Sequence, residues 1–164
     1  PLPIAENPLR IEWGLEGRFV VGYSGNLGRA HEFDTLLQAA ERLRGMPELV
    51  FLFIGGGKRT LASKKAVHEA NLGDAFQFKP YQDRQVLRLS LGVPDVHWIS
   101  LRPELEGLIV PSKIYGILAA GRPTIAVSAI NGIKHWLPHR LTVLSPKFLQ
   151  RSEHLRSPDF RQRL

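Results

Sequence analysis

The 164-residue sequence contains no cysteine and no long apolar run. The absence of cysteine excludes disulfide bonds and thiolate metal sites from these residues and fits a reducing compartment. The longest apolar runs, residues 50–54 and 117–120, are far shorter than the roughly 20 residues that a membrane-spanning helix needs. No signal-peptide pattern opens the sequence. We therefore expect a cytoplasmic globular protein.

Basic residues outnumber acidic ones, with 22 Lys and Arg against 15 Asp and Glu. A net charge of +7 suits an anionic ligand, a membrane surface or a nucleic acid. The basic residues are spread along the chain and form no patch interleaved with aromatic residues, so a nucleic-acid partner is the least favoured of the three. The six histidines are scattered without metal-ligand spacing, and no tightly bound metal is predicted.

Short strand-like runs alternate with helical patterns through most of the chain. Strands are predicted at residues 19–24, 50–54, 75–78, 96–101 and 124–127, and helices at 61–70, 84–91 and 112–120. A further helix face follows from Phe33, Leu36, Leu37, Ala40 and Leu43. This alternation is typical of βαβ units. The predicted fold class is α/β, a Rossmann-like three-layer sandwich with a mainly parallel sheet.

Composition divides the chain into three parts. Residues 1–18 are rich in proline and lack periodicity, so they are expected to be a linker or an edge segment. Residues 19–138 carry the βαβ pattern. Residues 139–164 form a basic tail that is expected to be poorly packed, with a strand only at 141–144.

The stretch GYSGNLGRAHEF, residues 22–33, places glycines between the first strand and the first helix. Glycine leaves backbone N–H groups accessible, and such groups often bind phosphate. If the strand ends at residue 24 and the helix begins near His31, the N–H groups of residues 27–30 should face the ligand crevice. The spacing matches neither the dinucleotide fingerprint nor the P-loop, which disfavours classical NAD binding and P-loop phosphoryl transfer.

Three segments carry a family resemblance: FVVGYSGNLGRAHEFDTLLQAA (19–40), LVFLFIGGG (49–57) and PSKIYGILAAGRPTIAV (111–127). In this order they resemble the carboxy-terminal half of retaining glycosyltransferases of family 4, which have the two-domain GT-B fold. The bacterial enzymes that assemble surface polysaccharide are the subtype most similar. The resemblance implies that residues 19–138 bind a nucleotide-sugar donor. It also implies an amino-terminal acceptor-binding half that this sequence lacks.

The resemblance also implies roles for individual residues. Catalytic roles fall to Glu106, Arg29 and Lys113, contacts with the donor phosphates to Gly25, Asn26, Gly28, His31 and Ser112, and contacts with the base to Pro80 and Tyr81. Asn26 and His31 stand where the family tends to have Arg and Lys, and Arg29 and Lys113 could substitute for them. The family's second glutamate aligns with Gly116, so the ribose contact usually assigned to that glutamate is missing.

The expected function is transfer of a sugar from a nucleoside diphosphate, UDP by preference, to a saccharide or lipid-linked acceptor. No tightly bound cofactor is implied. The alternatives are a noncatalytic nucleotide-binding module and a fragment of a GT-B sugar-nucleotide epimerase. Arginines at 140, 151, 156, 161 and 163 could lie against anionic lipid at the inner face of the membrane. A solvated or disordered tail is the competing interpretation.

Overall fold

The computed structural model describes residues 1–105, 112–127 and 141–144. Within these ranges six strands form one sheet: β1 (Phe19–Asn26), β2 (Leu49–Gly56), β3 (Phe76–Lys79), β4 (Val96–Ser100), β5 (Thr124–Val127) and β6 (Leu141–Leu144). Their order is β3-β2-β1-β4-β5-β6, and all neighbouring pairs are parallel. The predicted α/β class with a parallel sheet is confirmed, as is the strand at 141–144.

One helix precedes β1, and the others occupy connections between strands. The helices are α1 (Pro8–Glu12), α2 (Asp34–Arg42), α3 (Thr60–Glu69), α4 (Leu87–Gly92) and α5 (Lys113–Ala119). Single turns of 3₁₀-helix lie at Ile4–Glu6, Gly73–Ala75 and Pro103–Leu105. The helices after β2, β3 and β4 appear where the sequence predicts them, with ends that differ by one to three residues.

The side chains of β2 contribute to two cores, one on each face of the sheet. Phe51 and Phe53 pack with residues of α2 and α3. Val50, Leu52 and Ile54 pack with residues of α1 and with residues at the start of α4. Because successive side chains of a strand point to opposite faces, a strand buried on both faces is apolar throughout. Helices therefore cover both faces, which gives the three-layer sandwich.

Residues 1–18, suggested by the sequence to be a linker or edge segment, contain a helix with buried side chains. Leu9, Trp13 and Leu15 belong to the second core cluster. Asn7 is fully buried, and its side chain accepts a hydrogen bond from the N–H of Leu9 and caps α1. These contacts tie the segment to the sheet. The division of the chain at residues 18 and 138 stays a prediction.

The buried side chain of Arg10 fixes this segment to the rest of the domain. Its guanidinium lies 3.0 Å from a carboxylate oxygen of Asp95 and donates to the carbonyl oxygens of Val93, Leu15 and Arg18. Asp95 in turn accepts a 2.7 Å hydrogen bond from the N–H of Val20 in β1. A guanidinium suits this position because its planar fork offers five donors.

We expect Arg10→Met to lower the free energy of unfolding by about 3 kcal/mol, since it leaves Asp95 and several carbonyl oxygens without their partner. Urea denaturation checks this value. Arg88→Met, at an exposed position of α4, removes the same charge and should change the stability by less than about 0.5 kcal/mol. Equal losses in the two variants would contradict the anchoring role of Arg10.

Candidate functional site

The central position of β1 brings three loops together at one edge of the sheet. β1 pairs with β2 on one side and with β4 on the other. In parallel sheets ligands bind beyond the carboxyl ends of the strands, where the strand order reverses. The loops that follow β1 and β2 and residues 101–105 after β4 meet at this point, where the N–H of Arg102 donates to the carbonyl of Ala30. Several of the predicted site residues lie in or beside these segments.

The first of these loops differs from its prediction in two respects. β1 continues to Asn26, and the N–H of Leu27 donates a 2.7 Å hydrogen bond to the carbonyl of Gly56. The helix α2 begins at Asp34 rather than near His31. The predicted exposure of the Leu27 N–H and the predicted helix start are therefore wrong. Among the described residues, none accepts a hydrogen bond from the N–H of residues 28, 29 or 30.

Ser100, the last residue of β4, explains the late start of α2. Its hydroxyl accepts from the N–H of Glu32 at 3.0 Å and donates to the carbonyl of Glu32 at 2.7 Å. The backbone of Glu32 is thereby tied to β4 and does not enter the helix. The carboxylate of Glu32 instead accepts from the N–H of Thr35 at 2.8 Å, in the first turn of α2.

His31 is buried, with 9% of its surface exposed, and both of its ring nitrogens are engaged. Nδ1 lies 2.8 Å from the carbonyl oxygen of Ser100, and Nε2 lies 2.7 Å from Nζ of Lys113. A carbonyl can only accept, so Nδ1 carries the proton and Nε2 is the acceptor. Burial lowers the pKa of His31, and the nearby cations Lys113 and Arg59 lower it further, which favours the neutral ring.

Lys113, at the start of α5, reaches across to the first loop. Besides its contact with His31, its ammonium donates to the carbonyl of Asn26 at 3.3 Å and lies 4.9 Å from the ring centroid of Tyr23. Burial lowers the pKa of Lys113 to about 8. No carboxylate of residues 1–105, 112–127 and 141–144 forms an ion pair with this ammonium.

The absence of a side chain at Gly25 makes room for Lys113. A Cβ at Gly25 would lie 2.9 Å from Cε of Lys113, and the backbone there has φ +118°, a region that L side chains rarely adopt. Gly28 differs in both respects. It does not have a positive φ, and a Cβ would meet only the amide nitrogen of Asn26 at 3.6 Å. Gly25 thus serves the structure itself, whereas the space beside Gly28 is open.

The loop after β2 supports the first loop from the other side. The N–H of Arg59 donates to the carbonyl of Leu27, and its guanidinium donates to the carbonyl of His31 at 2.7 Å. The ring of Tyr81 lies against this second loop. A Cβ added at Gly55 or Gly56 would lie 3.2 Å from carbons of this ring. Tyr81 is 61% exposed, so its ring is not part of a core.

The remaining predicted residues lie around this centre or outside the described part of the chain. Asn26, Arg29, Pro80 and Ser112 are exposed. Ser112 precedes α5 directly, but its side chain makes no capping hydrogen bond. Glu106 lies outside the described residues. Gly116 faces α4, where a Cβ would lie 3.2 Å from Leu91, so glycine at this position lets the two helices approach.

Three contributors to the site were not selected from the sequence: Ser100, Arg59 and Tyr23. Tyr23 is buried below Lys113 and donates its hydroxyl proton to the carbonyl of Asn26 at 2.7 Å, and burial raises its pKa strongly. The sequence offered one signal for Ser100, a small hydroxyl residue at the carboxyl end of a buried strand. Arg59 and Tyr23 had no such signal, because their contacts with His31 and Lys113 form only in the folded chain.

Residues 1–105, 112–127 and 141–144 contain neither a metal-binding cluster nor a membrane-spanning helix. No group of three or more His, Asp or Glu side chains in these ranges is arranged to hold a metal ion. None of the helices there has the length and apolar character needed to cross a membrane.

Comparison with known proteins identifies the family. The family described as Glycosyl transferases group 1 matches residues 7–142. The chain belongs to this family. The match begins before residue 18 and extends past residue 138, so it includes α1 and the first two residues of β6.

Individual relatives agree with this assignment. WcaI of Escherichia coli K12, named for glycosyl transfer in colanic acid biosynthesis, is 30% identical over 106 residues, which is 65% of this chain and 26% of WcaI. WbjE of Pseudomonas aeruginosa, named as a glycosyltransferase, is 30% identical over 131 residues, 77% of this chain and 31% of WbjE. The chain thus spans about a third or less of the length of these curated relatives.

Two solved structures show that the fold has been observed in other proteins. HepE of Anabaena in complex with UDP-glucose superposes with a TM-score of 0.73 and 16% identity, covering 99% of this chain and 45% of HepE. The carboxy-terminal domain of the group 1 family protein LpcC from Francisella tularensis has a TM-score of 0.66 and 16% identity, covering 91% of this chain and 79% of that domain. At these identities the comparison supports the fold alone.

The contrast between two glycines tests the geometry of the first loop. Gly25→Ala should lower the free energy of unfolding by about 1 to 3 kcal/mol, since it strains the backbone and displaces Lys113. Gly28→Ala should change it by less than about 0.5 kcal/mol. Thermal and urea denaturation of the two variants provide the measurement. Equal losses at both positions would show that the loop differs from the arrangement described.

Proposed function

We propose that this chain is the donor-binding domain of a retaining glycosyltransferase of the family 4 type, with a nucleoside diphosphate sugar, UDP-linked by preference, as its donor. The acceptor would be a saccharide or a lipid-linked saccharide of a bacterial surface polysaccharide. The membership of the chain in the group 1 family supports this proposal, as do the UDP-glucose complex of HepE and the colanic acid role in the name of WcaI.

The half-buried ammonium of Lys113 is the observation that carries the proposal. Two of its three N–H donors are directed at Asn26 and His31, so one remains for a ligand. No described carboxylate offsets its charge. The N–H groups of residues 28–30 lie in the same loop without described acceptors. A cation and several free backbone donors at the end of a parallel strand suit a diphosphate.

This arrangement fits the chemistry of sugar transfer without a metal. When a sugar leaves a nucleoside diphosphate, the sugar approaches an oxocarbenium-like state and negative charge develops on the β-phosphate. A fixed ammonium stabilises that developing charge because it needs little reorganisation. We assign this role to Lys113, with exposed Arg29 as a second, more strongly screened cation.

Other contacts with the donor are assigned from the family resemblance and from position. Glu106 would accept hydrogen bonds from hydroxyls of the donor sugar, and Gly25, Asn26, Gly28 and Ser112 would border the phosphates. Pro80 and Tyr81 would contact the base, and the exposed ring of Tyr81 at the end of β3 supports this role. Since Gly116 cannot supply the ribose contact of the family, that contact has to come from another group.

The proposed function also requires a second domain that binds the acceptor. Because the chain spans 26% of WcaI and 31% of WbjE, we infer that an amino-terminal acceptor-binding half accompanies it in the intact protein and that the isolated domain lacks turnover. Attachment to the inner face of the membrane through residues 139–164 stays a prediction, since only Leu141–Leu144 of that segment lies within the described residues.

Calorimetric titration with a panel of nucleotides tests the assignment of the ligand. We expect UDP or a UDP-sugar to bind with a dissociation constant between micromolar and millimolar, or roughly 4 to 8 kcal/mol. Gly28→Val should weaken binding of UDP much more than binding of uridine, because the added side chain enters open space beside the loop. If no nucleotide or nucleotide sugar of the panel binds, the donor-domain proposal is wrong.

The pKa of Lys113 predicts how UDP affinity depends on pH. Below pH 8 the ammonium is already charged, so its titration does not affect binding. Above that pH a proton must be taken up on binding, and the affinity should fall by up to tenfold per pH unit. Lys113→Ala should lower the affinity at pH 7 by about 10- to 100-fold and abolish this dependence.

Calorimetry between pH 7 and pH 9.5 measures this effect. Lys65→Ala is the matched control, since Lys65 is exposed on α3 and pairs with Glu69. This control should retain both the affinity and the pH dependence of the unaltered chain. A pH dependence that persists in Lys113→Ala would assign the titration to another group.

A further inference from the structure

The geometry around His31 leaves it no free polar atom for a ligand. Its Nδ1–H is directed at the carbonyl of Ser100, and its Nε2 accepts from Lys113. The ring is 9% exposed and meets Tyr23 edge to face at 5.6 Å between centroids. A direct contact between His31 and phosphate would require one of these hydrogen bonds to break.

We propose that His31 is a positioning residue, which holds the ammonium of Lys113 over the first loop and does not itself bind phosphate. The carbonyl of Ser100 selects the Nδ1–H tautomer, so Nε2 presents its lone pair towards α5. That lone pair fixes Nζ of Lys113 between His31 and the carbonyl of Asn26. The inference rests on the proposed function only in taking the ligand to be a diphosphate.

The groups around His31 and Lys113 agree with a positioning role for His31. Tyr23 from β1 contributes a neutral ring beneath the ammonium, and Arg59 from the loop after β2 binds the carbonyl of His31. Ser100 contributes the backbone carbonyl at the end of β4. The charged groups that act on the pKa of His31 within the described residues are the two cations Lys113 and Arg59, and both lower it. A protonated His31 would lose its acceptor and repel Lys113, so the arrangement depends on the neutral ring.

Two substitutions separate positioning from simple packing. His31→Asn places an amide where Nδ1 lies, so it can still donate to the carbonyl of Ser100 but does not reach Lys113. His31→Gln places an amide near Nε2, and its carbonyl oxygen can accept from Lys113. Both variants remove the imidazole ring and its packing, so only a positioning role predicts that they differ. Melting temperatures show whether each variant is folded.

The state of Lys113 can be measured without any ligand. We would follow the ¹³Cε signal of Lys113 by NMR as a function of pH, with Lys113→Arg used to assign it. The unaltered chain and His31→Gln should titrate near pH 8. In His31→Asn the ammonium is released towards solvent, and its pKa should rise towards the ordinary value of about 10.4. A common midpoint for all three proteins would overturn the proposal.

A measurement on the unaltered chain covers the case in which the variants do not fold. As His31 becomes protonated in acid, its acceptor disappears and the Lys113 signal should move again. This second inflection should coincide with the titration of the His31 ring protons, below the ordinary histidine pKa of about 6.5. A Lys113 signal that stays constant while His31 titrates would overturn the proposal without any substitution.

Binding of UDP and uridine then distinguishes this inference from the proposed function. At pH 7 we expect His31→Asn to lose at least tenfold in UDP affinity with uridine binding unchanged, and His31→Gln to stay within threefold. If the unaltered chain binds no nucleotide, the proposed function fails and the NMR titrations still decide the role of His31. If Lys113→Ala loses UDP while both His31 variants bind it normally, positioning fails and the function stands.

Discussion

The end of β1 must satisfy two neighbours at once, and glycine at position 25 makes this compatible with a single backbone. On one side Gly25 continues the parallel ladder with Gly55, and the pairing extends to Asn26 and Gly56. On the other side the side chain of Lys113 occupies the space where a Cβ would stand. The positive φ of Gly25 lets the chain leave the strand without breaking either contact. The first loop is therefore held in place before any ligand arrives.

Holding the ammonium of Lys113 in a half-buried position costs free energy. Burial disfavours the charged form of Lys113, and no described carboxylate compensates. A carboxylate beside the ammonium would remove that cost but would compete with an anionic ligand for the same charge. A neutral histidine, a carbonyl and an aromatic face stabilise the ammonium more weakly and leave its charge available. The choice of neutral partners suits a site for an anion.

The fold could be predicted from the sequence to a large extent, because its strands are apolar runs bounded by glycine, proline or charge. Residues 124–127 were located without error, and the other strands of the βαβ pattern were located to within two residues at each end. The helix of residues 8–12 was missed although Asn7 at its N-cap and Pro8 at its first position are a local signal. The contacts of Arg10 with Val93 and Asp95, which attach the helix to the sheet, join residues 83 and 85 positions apart and leave no local pattern. The late start of α2 was missed for a similar reason, because Ser100 lies 68 residues from Glu32.

For the candidate site, the sequence predicted which residues to consider but only some of their contacts. The glycine spacing after β1 and the resemblance of residues 111–127 pointed to Lys113 and to the first loop. The sequence could not indicate that Lys113 and His31 contact each other, since they are 82 residues apart in the chain. The fold of the sheet brings them together.

Asn26 and His31, read from the sequence as replacements for two cations, have a common role in the structure. Each offers an acceptor to the same ammonium, Asn26 through its main-chain carbonyl and His31 through Nε2. If Asn26 and His31 were cations, they would repel a lysine placed between them. Asn26 and His31 are neutral, and Lys113 from α5 supplies the positive charge between them. The two features depend on each other, because a cation at either loop position would exclude the lysine.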